Sequence, residues 1–213
     1  DIGGRRVLVQ RRADVVEALL PGPANTMRHD QRDLSLPFKV TRDRGGRVTL
    51  AIGGRKLRLH PQRFTPWVRV SFHAAPLVRV HGICRFFLRR FDERFELYCT
   101  PVQIDPDRPV MPVAHPTVYA TYLARQQGSF ATLGLAEDTW SLSEGVMAEQ
   151  DFLKQAYDIH EERREMFFDA LRRVRRGMVT CVFDGPDRIQ HMFWRFTEQD
   201  HPAMRGRENT HQN

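Results

Sequence analysis

Apolar and polar residues alternate from Pro37 to His60 in three runs, FKVTRD, RVTLAI and RKLRLH, separated by Gly45-Gly46 and Gly53-Gly54. Period two is the spacing of side chains on one face of a strand, and paired glycines suit tight hairpins, so a three-stranded meander is predicted. Further strands are predicted at 67–72, 78–88 and 95–104, making residues 37–104 an antiparallel β unit. Residues 1–36 hold one short amphipathic piece at 13–20, closed by Pro21-Gly22-Pro23, and then a polar run through Asp33. They read as a connector.

After the proline-rich crossing IDPDRPVMPVAHP the period changes to that of a helix. Helices are predicted at 118–127, ended by Gly128, at 140–148, and at 151–176, ended by Gly177. In the longest, Phe152, Ala156, Ile159, Phe167, Ala170, Leu171 and Val174 recur at three- and four-residue steps and form the expected packing face. Glu161, Glu162, Arg164, Arg172, Arg173 and Arg175 lie opposite and suit a solvated face. Next comes MVTCVF at 178–183, a continuous apolar run of the kind found in a parallel strand buried on both faces. With a helix entering it and a loop and helix, 188–196, leaving it, residues 105–213 are predicted as a partial α/β core. The fold class expected is therefore mixed, α+β or α/β, with an antiparallel β insert.

At 213 residues, 41% hydrophobic and 28% charged, the chain has ordinary globular composition, which excludes wholesale disorder. No run approaches the roughly eighteen apolar residues of a membrane span, and the N-terminal segment lacks the order of a signal peptide. A soluble protein is expected. Because the chain begins at Asp1 without an initiator Met, it is expected to be an excerpt of a longer one. Cys84, Cys99 and Cys181 sit in apolar runs without Cys-x-x-Cys spacing, which argues against a zinc ribbon or a disulfide scaffold and for buried thiols. A cytoplasmic setting is favoured, though the N-terminal segment leaves the compartment open.

The net charge is +7, almost wholly from arginine, and a basic surface attracts phosphates of any kind. A non-catalytic phosphate- or nucleic-acid-binding module is therefore one reading. Against it, the arginines are spread along the chain and no basic tract is interleaved with exposed aromatics, so no specific nucleic-acid complex is expected.

The sharpest chemical signal is Asp187 and His191. Asp-x-x-x-His at the start of a helix places a carboxylate and an imidazole on one face, one turn apart, where both reach a single cation. That supplies two of the three or four protein ligands a zinc-like ion needs; alternatively, Asp187 caps the helix and His191 is an ordinary partly buried histidine. Asp184 falls beyond the expected strand end, either as an acceptor for His191 or as a plain strand-end residue. Arg188 and Gln190 either contact a phosphate or point outwards, and His201 either approaches the site or stays in solvent. Phe193 and Trp194 are expected to pack, and Glu137 and Asp138 to cap the helix after them rather than to act as paired acids.

GPDRIQHMFWRF at 185–196, followed by DHP at 200–202, resembles the predicted phosphohydrolase and phosphomutase branch of the alkaline phosphatase superfamily, related to type I phosphodiesterases and nucleotide pyrophosphatases. HGICRFFLRRF at 81–91, LYCTPVQIDPDRPVMPV at 97–113 and GLAEDTWSLSEG at 134–145 look like blocks of the same branch in the same order, so the resemblance covers roughly 37–202. It implies hydrolysis of a small phosphoester or a nucleotide at two divalent ions, zinc above all. One ion is held by an Asp and a His four apart plus a later His, and the first two map onto Asp187 and His191. The third ligand has no match here, nor do the second ion's early Asp, the Ser or Thr nucleophile and the later Asp-His-Gly. The resemblance thus implies the central portion of a phosphoesterase, carrying half of one metal site and inactive by itself.

Overall fold

The computed structural model describes residues 4–30, 32–198 and 200–204. These fall into two compact units, Asp1–Gly134 and Leu135–Asn213. Sheets and helices are both present and every pairing between strands is antiparallel, so the fold is mixed α and β.

In the first unit, β1 (Arg11–Arg12), β2 (Val15–Ala24), β3 (Asp33–Arg42), β4 (Val48–Ile52) and β5 (Arg55–Leu59) form a five-stranded meander. Ile52 pairs with Arg55 across Gly53-Gly54, whose φ values of +55° and +78° only glycine adopts without strain. Along β4 the residues Val48, Leu50 and Ile52 are buried while Thr49 and Ala51 are partly exposed, which is the alternation the sequence carries. A second group contains β6 (Val68–Ala75), β7 (Val78–Cys84) and β10 (Gln103–Ile104), beside the two-stranded pair β8 (Phe86–Phe91) and β9 (Phe95–Cys99). Val16, Val40 and Leu50 from the meander meet Val70, Phe72 and Phe86 in one apolar cluster.

That cluster explains a glycine in β2. A Cβ added to Gly22 would lie 2.6 Å from two ring carbons of Phe72, a ring that is itself buried and has nowhere to move. Gly22→Ala is expected to destabilise the unit by about 1–3 kcal/mol, as overpacking does. A denaturant midpoint equal to wild type would show that the two layers can separate at this point.

The structure corrects the expected organisation in three places. Residues 1–36 are not a connector: β2 pairs along its length with β3, from Val15 opposite Thr41 to Ala24 opposite Asp33. A short amphipathic run is compatible with several structures, and the partner strand decides. Second, α1 (Val118–Gln127), capped by Gly128 at φ +95°, belongs to the strand-rich unit. Its approach is tied down by side chains: Gln103 Oε1 accepts from the Thr132 N–H at 2.7 Å, Arg69 lies 3.5 Å from buried Asp105 and 3.2 Å from Asp107, and Arg125 reaches Asp107 at 3.1 Å.

The third correction is the largest. In the second unit α2 (Thr139–Ser143), α3 (Glu149–Arg173) and α4 (Gly185–Phe193) are followed by 3-10 turns at Trp194–Phe196 and Pro202–Met204. Residues 178–183 form no strand, and Met178 and Val182 are 87% and 71% exposed. An inner strand needs a hydrogen-bonded neighbour on each side, and no described residue of this unit supplies one. The parallel α/β unit expected here is therefore absent among the described residues. For the same reason Leu171 and Val174, assigned to the packing face of α3, are exposed, whereas Phe152, Ala156 and Ile159 are buried. Val179, Cys181 and Phe183 are partly buried, and the Phe183 ring lies 5.2 Å from that of His160 and 5.9 Å from that of Phe167. Among the described residues no helix is long and apolar enough to cross a membrane.

Candidate functional site

Helix α4 starts at Gly185-Pro186, with proline in the first turn where its missing N–H costs nothing. Asp184 occupies the preceding position, yet its side chain makes no cap; it accepts a hydrogen bond from Arg163 of α3 at 2.8 Å. Asp184 is thus an anchor between α3 and α4 rather than a partner of His191. Arg195, just past α4, lies 2.7 Å from Glu149 at the start of α3, and Phe193 stacks obliquely on buried Phe152 with centroids 6.0 Å apart. These contacts fix the helix that carries the candidate pair.

Asp187 lies in the first turn of α4, where the helix dipole favours an anion, and His191 follows one turn later. Asp187 Oδ1 is 3.3 Å from His191 Nε2, so the two side chains converge. Both are open to solvent, the carboxylate side chain 58% and the imidazole side chain 72% exposed. This corrects the partly buried histidine of the alternative reading. A solvent-exposed contact of this kind adds little to stability. In a tetrahedral zinc site with ligand bonds of about 2.0–2.1 Å, neighbouring donor atoms stand about 3.3–3.4 Å apart. The pair therefore already has the separation of one edge of such a tetrahedron.

The surrounding residues divide clearly. Arg188 brings its guanidinium to 3.7 Å from Asp187 Oδ2, while its Nε is buried without a hydrogen-bond partner. Gln190 is exposed on the helix. His201 Nδ1 accepts the Ala203 N–H at 3.2 Å and so serves its own 3-10 turn. Trp194 is exposed, with its indole N–H on Glu198 at 2.6 Å, and does not pack as expected. Among the described residues no group of three or more His, Cys, Asp or Glu side chains is arranged to hold a metal ion.

Asp138 does cap α2, accepting the Ser141 N–H at 3.0 Å and the Ser141 hydroxyl at 2.6 Å. Its neighbour Glu137, expected to cap as well, does not: it is only 3% exposed and neither carboxylate oxygen has a hydrogen-bond partner. A buried carboxylate in that state is costly, which the Gly-Leu-Ala preceding it hints at but does not reveal. Comparison with known proteins adds no relative: no family model, curated protein or solved structure matches this chain.

Proposed function

We propose that this chain is part of a metal-dependent phosphoesterase of the alkaline phosphatase superfamily, in the branch related to type I phosphodiesterases and nucleotide pyrophosphatases. Asp187 and His191 are two of the protein ligands of one divalent cation, and the oxygen–nitrogen donor set suits zinc. The observation that carries the reading is the 3.3 Å between Asp187 Oδ1 and His191 Nε2 on an exposed helix face. The ordered blocks from HGICRFFLRRF to GPDRIQHMFWRF support it independently. On this reading the antiparallel strands are an insert, and the helical region is a portion of the phosphohydrolase core.

A bound cation in such a site offsets charge on phosphoryl oxygens and lowers the pKa of a coordinated water or hydroxyl. The chain's own part is narrower. Asp187 contributes the anionic donor, and His191 must present the Nε2 lone pair, which places its proton on Nδ1. Arg188, beside the carboxylate, meets a phosphate oxygen of a small phosphoester or nucleotide, towards which the net charge of +7 also draws the substrate. Asp184 and His201 are engaged elsewhere and take no ligand role.

Zinc titration of the 213-residue chain, followed through its histidine ring signals, tests the assignment. The His191 signals are expected to respond at the lowest zinc concentrations, weakly because two ligands hold zinc poorly, and Asp187→Asn should abolish that preference. Response of other histidines while His191 stays unmoved would remove the basis for the proposal.

A further inference from the structure

We propose that residues 178–183 are an unpaired strand that takes a second copy of this chain as its partner, in an antiparallel ladder centred on Thr180. The pairing goes beyond the metal site of α4 and does not depend on it. Exposure alternates along the run: Met178, Thr180 and Val182 face solvent, while Val179, Cys181 and Phe183 are partly buried. Alternation at every second residue is the habit of an extended strand, and Val, Thr and Phe favour one. The Phe183 ring holds one face of the run against His160 and Phe167 of α3. Yet among the described residues no backbone N–H or carbonyl of 178–183 bonds to another backbone group. A strand held in place with its backbone unpaired is a template for another strand. Phe168, Leu171 and Val174, on the helix that leads into the run, are exposed as well, and an apolar patch of this kind marks an interface.

The flanks of the run indicate what covers it. Exposed Arg175 and Arg176 precede it, and Asp184 and Asp187 follow it. Antiparallel pairing of two copies lays the arginine end of each beside the aspartate end of the other, twice over, because a two-fold interface repeats every contact. Parallel pairing would set arginine against arginine and aspartate against aspartate. An anionic membrane is a poorer match, since Glu161 and Glu165 stand exposed beside the arginines of α3 and the two aspartates lie at the far end of the run.

The register follows from the faces. Side chains opposite each other in a ladder share a face, so exposed residues meet exposed ones. With Thr180 opposite itself, Met178 meets Val182 on the outer face and Val179 meets Cys181 on the inner. A slip of one residue would pair exposed Met178 with inward Phe183 or Cys181. A slip of two keeps the faces but sets Met178 against Asp184 in one direction, or Val182 against Arg176 in the other, and gives up the apolar pair.

Sedimentation of the 213-residue chain tests the pairing. The mass is expected to rise with concentration from 24.9 kDa to twice that and no further. Thr180 is exposed, so substitution there spares the fold, which helical circular dichroism checks. On the two-fold axis each substituted residue meets its own copy. Thr180→Lys alone and Thr180→Asp alone are therefore expected to stay monomeric, and an equimolar mixture of the two to dimerise. A wild-type chain monomeric at every concentration, which would leave the run to a strand from another polypeptide or to a membrane, would overturn the proposal. So would open-ended assemblies in place of a dimer, single variants that dimerise as wild type does, or a mixture that stays monomeric.

Discussion

On the proposed metal-dependent phosphoesterase reading, Asp187→Asn and His191→Ala in a protein that contains this chain and shows phosphoester hydrolysis are each expected to lower bound metal and that hydrolysis by at least about 100-fold. Each variant removes one donor from the converging pair, and Asn keeps the shape of Asp187 while giving up the anionic oxygen that balances a dication. No third ligand among the described residues can compensate. The fold is expected to be untouched, since both side chains are exposed and their mutual contact contributes little. Metal content by elemental analysis, hydrolysis of a phosphodiester and circular dichroism separate the two effects. Full metal and full activity in both variants would reduce Asp187 to an acid placed favourably in a first helical turn.

Phe152→Ala is expected to cost about 3–5 kcal/mol and to melt the helical unit. Phe152 is completely buried, its ring lies against Phe193, and Ala156 and Ile159, one and two turns on, are buried with it along α3. Domains have only about 5–15 kcal/mol in hand, so one cavity of this size removes a large share of the unit's stability. Phe168→Ala, at an exposed position of the same helix, should change stability by no more than about 0.5 kcal/mol. Helical circular dichroism against denaturant distinguishes them. Equal midpoints for the two variants would mean that α3 does not pack through the face described.

How much of the candidate site was legible depends on sequence separation. The meeting of Asp187 and His191 is local, because a four-residue step on any helix brings two side chains together. The role of Asp184 was not, since its partner Arg163 is on another helix and nothing near Asp184 announces it. Burial of Glu137 and exposure of Trp194 are likewise set by contacts across the fold.

The meander β3–β5 was determined by the sequence alone: alternation chose the inward face, and Gly53-Gly54 allowed the turn that sets the register. Helix α1 was determined in the same way, with Gly128 terminating it where the sequence predicts. Tertiary structure decided that β2 is a strand, because Val15–Ala24 has β3 to pair with. It also set the boundary between the units after Gly134, through tethers such as Gln103 to Thr132 that lie outside any periodic pattern. The run 178–183 shows the same rule from the other side. Its residues favour a strand, but a strand is a pairing between segments, and without a neighbour to take its backbone hydrogen bonds the run stays irregular, with Met178 and Val182 exposed.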